Sequence, residues 1–245
     1  MARGELMGRL RERVFKAVFY GGSVPIVLLA PVMALFGQRI FRGWVVGWTR
    51  YHGWCARNLM GIRNRIEGRQ LDGPALYAAK HQSFYETFEL VRLLDAPAVV
   101  MRQEYARIPV WGWAARRYGV IVIDRSGSAS ALRQMMREAK AAGAAGRPVV
   151  IFPEGTRGRI GEAPPLQAGL AGLYRAVGLP LVPIALDSAR VWPKHGAMHS
   201  GIVTLRFGEP IPAGLPRAEI EARVLREINV LNDPPLQGGD GGPQG

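Results

Sequence analysis

A histidine and a carboxylate lie close together in Lys80-His81-Gln82-Ser83-Phe84-Tyr85-Glu86-Thr87, and this pairing could do acid–base chemistry. An imidazole that takes a proton needs a nearby carboxylate to fix its tautomer and to stabilise the imidazolium it becomes. On one continuous helix, His81 and Glu86 would point about 140° apart at 3.6 residues per turn. A helix must therefore start between them. Ser83-x-x-Glu86 has the capping-box pattern, with Ser83 at the N-cap and Glu86 at N3. That leaves His81 in the preceding loop, within reach of Glu86. Plain capping by Glu86 beside an ordinary loop histidine fits the same pattern, and this segment alone does not separate the two.

A second segment, Phe152-Pro153-Glu154-Gly155-Thr156-Arg157, follows the short apolar run Val149-Val150-Ile151-Phe152. The run reads as a buried strand, and Pro153 and Gly155 break it. An arginine just past a strand end can hold a phosphate or carboxylate with two parallel N–H bonds. Exposed backbone N–H groups in a glycine turn also favour anions. The plain alternative is a strand-to-loop turn with a solvated Arg157.

The elements that must position these groups read as an α/β fold. Strands are expected at 62–66, 75–79, 98–101, 120–123, 149–152, 181–186 and 202–207. Helices are expected from Ser83 to Leu94, over 128–142 with Ser128 as cap and Gly143 as stop, over 167–177 and over 217–231. Alternation of this kind predicts a largely parallel central sheet flanked by helices. Ligands of such sheets gather at the carboxyl ends of the strands. Lys80, His81, Arg102, Arg125, Glu154, Gly155, Thr156 and Arg157 all fall just after predicted strands, which places them in one crevice.

The chain of 245 residues carries a formal net charge of +13 and one cysteine, Cys55. One cysteine excludes an internal disulfide and points to a reducing compartment. Residues 1–65 hold 11 Arg and Lys against two acids, so the most basic part is also the most apolar. That combination favours an anionic membrane surface, and no zinc-ligand or basic-aromatic pattern of a nucleic-acid module is present. Residues 17–37 carry no charge and are interrupted by Gly21, Gly22, Pro25 and Pro31. They read either as a bilayer span or as a kinked hairpin in one leaflet. A secretory signal is disfavoured because no small-x-small cleavage site follows. Arg39, Arg42, Arg50 and Arg57, interleaved with Trp44, Trp48, Tyr51 and Trp54, read as an interfacial helix, and His52 as an interfacial residue. The expected organisation is membrane-associating helices over 1–60, a catalytic domain over 61–232 and a Pro/Gly-rich disordered tail over 233–245. His195 and His199 lie in a loop with no third metal ligand.

Taken together, the two motifs resemble the 1-acyl-sn-glycerol-3-phosphate acyltransferase (lysophosphatidic acid acyltransferase) family. Met101–Trp113, Gly119–Arg125 and Leu181–Leu186 resemble its further blocks in the same order. This chain departs from the family pattern at Lys80, where an Asn is usual, at Glu86, where an Asp is usual, and at Arg102, where a Lys is usual. The resemblance implies transfer of a fatty acyl group from acyl-CoA or acyl-carrier protein to the sn-2 hydroxyl of lysophosphatidic acid. It implies His81 as general base, Glu86 as its orienting carboxylate, and Arg102, Arg125 and Arg157 on the acceptor phosphate. Lys80, Glu154, Gly155 and Thr156 complete the expected substrate-binding set, with backbone N–H groups near Gly155 facing the oxyanion. No metal or cofactor is implied, and the expected location is the cytoplasmic face of the inner membrane. The alternatives are an acyltransferase for another lysolipid, such as lyso-ornithine lipid, or a non-catalytic lipid-binding protein of the membrane surface.

Overall fold

The computed structural model describes residues 2–124 and 129–232, with side chains from residue 6 onward. Seven strands form one sheet: β1 (Ile62–Glu67), β2 (Leu76–Ala79), β3 (Ala98–Arg102), β4 (Ile121–Ile123), β5 (Val149–Ile151), β6 (Leu181–Leu186) and β7 (Gly201–Phe207). Their order is β1-β7-β6-β2-β5-β3-β4. The five strands from β6 to β4 run parallel, while β7 is antiparallel to β6 and β1 follows β7. All seven predicted runs are strands, and the sheet is largely parallel as expected. Strands β2 and β6 are buried on both faces, which is why they read as unbroken apolar runs.

The helices are α1 (Ala2–Leu28), α2 (Ala30–Leu35), α3 (Gln38–Cys55), α4 (Tyr85–Leu93), α5 (Gln103–Ala106), α6 (Trp111–Tyr118), α7 (Ala129–Ala144), α8 (Gly169–Val177) and α9 (Arg217–Ile228). Strand side chains alternate between faces. Tyr77, Ala79, Val150, Val182 and Ile184 therefore pack with Phe15 and Phe19 of α1, Cys55 of α3 and Leu90 of α4. Leu76, Ala78, Val149, Ile151 and Leu181 pack with Met135 of α7, Leu170 of α8 and Val224 of α9 on the other face. The result is a three-layer α/β/α stack. Among the described residues, Phe15 and Phe19 of α1 and Cys55 of α3 therefore belong to the core of the sheet itself.

Two helices escaped the sequence reading. Helices α5 and α6 are short, and the turn between them is sharp: Val110 sits at φ 59, and a Cβ on Gly112 would collide with the Ala106 carbonyl. Only glycine permits that approach. Helix α7 also runs past Gly143, which is buried with Leu179 Cδ1 3.1 Å from where its Cβ would sit. Gly146, at φ 75, follows the end of the helix instead. The expected Ser128 cap and the tail over 233–245 lie outside the described residues.

The uncharged stretch 17–37 is divided among the end of α1, all of α2 and the turn into α3. Among the described residues no helix is long and apolar enough to cross a membrane. The aromatic residues of α3 are also not simply an outer belt. Tyr51 Oη donates to Val18 O at 2.5 Å, Trp48 Nε1 to Ser23 Oγ at 2.8 Å and Trp44 Nε1 to Ile26 O at 3.2 Å, which fastens α3 along α1. Of the four, Trp54 alone is exposed. His52 is not interfacial either. It is fully buried, stacked on Phe88 with centroids 4.3 Å apart and edge-on to Phe19 at 5.1 Å. Burial pushes its pKa down, against the pull of Glu89, whose Oε1 lies 3.9 Å from Nδ1. What faces outward is an apolar stripe: Leu6, Leu10, Val14, Val18, Val24 and Leu28 of α1, continued by Leu35 and Phe36 at the α2–α3 turn.

Candidate active site

His81 leaves the sheet directly after β2 and sits in the loop before α4. Its Nδ1 lies 3.0 Å from Glu86 Oε1. The same oxygen accepts the N–H groups of Gln82 and Ser83, each at 2.6 Å, and Oε2 accepts Ser188 Oγ at 2.7 Å. Ser83 Oγ in turn accepts the Tyr85 N–H at 3.1 Å. The N-cap of α4 is Phe84, one residue past the expected Ser83, with no side-chain cap bond, so Glu86 instead ties down the loop before the helix and holds the imidazole with the same oxygen. The carboxylate is fully buried, and a buried charge persists only when its lone pairs are taken up this way. With Nδ1–H directed at Glu86, Nε2 carries the lone pair. The ring keeps 17% of its side-chain surface open and stacks on Phe152, with centroids 4.2 Å apart.

The second segment docks onto the first. Glu154 Oε2 accepts the His81 N–H at 2.9 Å, and Gly158 donates its N–H to His81 O at 2.9 Å. Gly155, at φ 67, closes the turn with its N–H on Phe152 O. Lys80 and Glu154 were expected to contact substrate, and the structure corrects this. Lys80 is fully buried, and its Nζ donates to Glu154 Oε1 at 2.5 Å, Glu162 O at 2.6 Å and Asn229 Oδ1 at 2.7 Å. An ammonium has three donors, so none is left for a ligand. Burial pushes the Glu154 carboxyl up, and the bonds from Lys80 and the His81 N–H pull against it. This ion pair braces the loop that carries His81.

The cationic residues lie at the outer rim. The Arg157 guanidinium stacks over the Phe84 ring at 4.1 Å, and Thr156 is exposed beside it. Arg102 ends β3, two strands from β2, and pairs with Glu104 at 2.7 Å with both side chains partly open. Because β2, β5, β3 and β4 are parallel, His81, Glu154 and Arg102 share one carboxyl edge. Arg125, expected at the same edge after β4, lies outside the described residues.

Residues 57–187 match the family model described as Acyltransferase. A 1-acyl-sn-glycerol-3-phosphate acyltransferase of Pseudomonas aeruginosa is 32% identical over 205 residues, which cover 82% of this chain and 77% of that protein. The chain belongs to the 1-acyl-sn-glycerol-3-phosphate acyltransferase family. A chloroplastic acyltransferase of that name, BAT2 from Brassica napus, is 31% identical over 66% of this chain and 48% of its own length. The crystal structure of the 1-acyl-sn-glycerophosphate acyltransferase PlsC from Thermotoga maritima shares the fold, with a TM-score of 0.72 at 20% identity, over 91% of this chain and 95% of that one.

Within this acyltransferase, four participants carried no local sequence signal. Ser188, Asn229 and Asn232 are joined to the site only through space, and Gln82, next to His81 in the chain, meets them through its side chain. Asn232 donates to Glu162 O at 2.8 Å and to Asn229 Oδ1 at 2.6 Å, and Gln82 Nε2 reaches Asn232 Oδ1 at 3.3 Å. The segment following α9 thereby closes the back of the catalytic loop. Lys80 Nζ joins that segment through Asn229 Oδ1, alongside the bonds of Gln82 and the Glu162 carbonyl to Asn232.

Proposed function

We propose that this chain transfers a fatty acyl group from a thioester to the sn-2 hydroxyl of lysophosphatidic acid, giving phosphatidic acid. The carrying observation is His81, locked through Nδ1 onto buried Glu86 with Nε2 left as the base. Nε2 takes the hydroxyl proton as the oxygen attacks the thioester carbonyl. The tetrahedral intermediate collapses with cleavage of the C–S bond, and the imidazolium returns the proton to the departing thiolate. Glu86 stays ionised throughout and stabilises the imidazolium. No acyl-enzyme is required, since the thioester is already activated and the hydroxyl needs only positioning and proton removal. The N–H groups of Gly155 and Gly158 are occupied by Phe152 O and His81 O. In this reading the oxyanion is met by other backbone N–H groups of the turn around Gly155.

Arg102 and Arg157, with Arg125, hold the acceptor phosphate in this reading. Stacking on Phe84 pins Arg157 through its face and leaves its N–H edges for two parallel bonds to phosphate. The donor is acyl-CoA or acyl-carrier protein, and no further cofactor enters the scheme. The apolar stripe along α1 and the α2–α3 turn supports attachment to one leaflet of a membrane, and the cytoplasmic face is part of the proposal.

The test is turnover by the detergent-solubilised chain. Lysophosphatidic acid and lyso-ornithine lipid are compared as acceptors, with both donors and with His81→Ala as control. Phosphatidic acid formed by the native chain and abolished in His81→Ala, with vesicle binding retained, is the expected result. Activity on the ornithine lipid alone would move the acceptor and reassign the arginines. Undiminished turnover in His81→Ala would refute the mechanism.

A further inference from the structure

At the amino ends of the strands, across the sheet from the catalytic edge, a cavity of about 500 Å³ opens beside edge strand β4. Its walls include Ile121 and Glu138 of α7, and three arginines from separate elements line it: Arg42 of α3, Arg116 of α6 and Arg147 ahead of β5. Two of the guanidiniums converge. A Cβ placed on Gly119 would lie 2.8 Å from Arg147 Nη1 and 3.6 Å from Arg42 Nη2. Arg147 is fixed by the carbonyls of Ala96, Gly119 and Pro97 at 3.0–3.1 Å, and Arg42 by Tyr118 O at 3.3 Å. None of the three forms an ion pair among the described residues. Glu138, the acid in the wall, accepts from Gln134 Nε2 at 2.8 Å. Burial and the neighbouring Arg42 both push the Arg147 pKa down. Carbonyls orient the Arg42 and Arg147 guanidiniums without cancelling their mutual repulsion, so an anion beside them is favoured, and Arg116, in the same wall, donates through Nη2 to Ala106 O at 3.5 Å.

The cavity adjoins the apolar tip of the N-terminal helices. Gln38 Nε2 donates to Arg117 O at 2.7 Å, and Arg117 Nη2 to Ala34 O at 3.4 Å, which ties the α2–α3 turn to the end of α6. Leu35, Phe36 and Ile40 are exposed at that turn. Side chains of this kind enter the acyl boundary while flanking arginines stay at headgroup level. We propose that this cavity holds the phosphate of an anionic membrane lipid, at a site separate from the one where the acyl group is transferred. The proposal rests on the membrane-surface reading above.

The test is co-sedimentation of the full chain with vesicles of phosphatidylcholine alone and of phosphatidylcholine doped with phosphatidylglycerol, a lipid that is neither substrate nor product. The native chain should prefer the doped vesicles. Arg42→Gln/Arg116→Gln should lose that preference, roughly thirtyfold for two headgroup-level arginines. It should keep its binding to neutral vesicles and its turnover on detergent-dispersed substrate. Arg147 is left in place because it clamps three carbonyls. Arg133→Gln/Arg137→Gln, which removes the same charge from the exposed side of α7, should keep the preference. An equal loss in that control would reduce the effect to diffuse charge and overturn the site. Equal binding of the native chain to both vesicles overturns the cavity but not the membrane reading, whereas no binding to either overturns the membrane reading itself. If inorganic phosphate alone raises the Tm of the native chain but not of Arg42→Gln/Arg116→Gln, and their vesicle preferences match, the ligand is a soluble phosphate and the lipid assignment fails.

Discussion

The two buried carboxylates of the site do different work, and substitutions separate them. Glu86 takes three donors on Oε1 and one on Oε2. Glu86→Gln replaces one acceptor oxygen by an N–H₂ among donors and should lower kcat by about 10²-fold or more. Glu86→Asp keeps the charge on a stem one methylene shorter and should stay within roughly tenfold of native kcat. Equal rates in the two variants would reduce Glu86 to a tie for the loop. Ser188→Ala leaves Oε2 buried without its donor, at a cost of about 1.5–3 kcal/mol. Because Ser188 acts through Glu86 on the base, kcat should fall with KM unchanged. Glu154 acts on stability instead. Lys80→Met strands its carboxylate in the interior and should cost about 3–5 kcal/mol by chemical denaturation, while Lys80→Met/Glu154→Gln should recover part of that loss.

At the scale of the elements, the attachment of α1 to α3 and α4 is the feature most open to test. Gly22→Ala drives a Cβ into the Tyr51 ring and hydroxyl and should destabilise by about 1–3 kcal/mol. Tyr51→Phe in the same chain should restore part of the loss, since it removes the atom in closest conflict. His52 adds a pH dependence. Its folded pKa is depressed, so the stability linked to its neutral ring is fully present above the unfolded histidine value of about 6.5. Below that value the unfolded chain binds a proton that the folded chain resists, and stability falls as pH drops towards the folded pKa. Its charged neighbours are Glu89, which pulls the pKa up, and Arg92, which pulls it down. Melting curves from pH 7.5 to 5.5 should show a steeper Tm decline in the native chain than in His52→Leu, and parallel curves would exclude this linkage.

For the whole molecule, the question is which surface meets the lipid. The exposed stripe of α1 lies opposite the face carrying Phe15 and Phe19, which are anchored in the core. The stripe can therefore change without disturbing the fold. Leu10→Gln/Leu28→Gln should leave Tm and turnover on detergent-dispersed substrate intact. It should weaken binding to neutral vesicles by about a hundredfold or more, since each fully buried leucine contributes about 1.5–3 kcal/mol. Unchanged sedimentation would place the membrane contact elsewhere. The catalytic edge and the arginine-lined cavity lie at opposite ends of the parallel strands, so vesicle binding and turnover are separable measurements.

The seven strands, the helix starting after Ser83 and the pairing of His81 with Glu86 were legible in the sequence because each depends on neighbours a few residues away. Apolar runs of strand length, a capping pattern and glycine turns are local signals, and the loops after successive strands had to meet once the sheet was parallel. The tertiary structure decided the rest. Lys80 and Glu154 look like ligand groups in sequence, yet they become a buried pair because the Asn229 side chain and the Glu162 carbonyl reach them from distant elements. Trp44, Trp48 and Tyr51 have the composition of a membrane belt, but their polar atoms find partners on α1. Which face of an amphipathic or aromatic segment is covered depends on what packs against it, and periodicity in one segment carries no record of that partner.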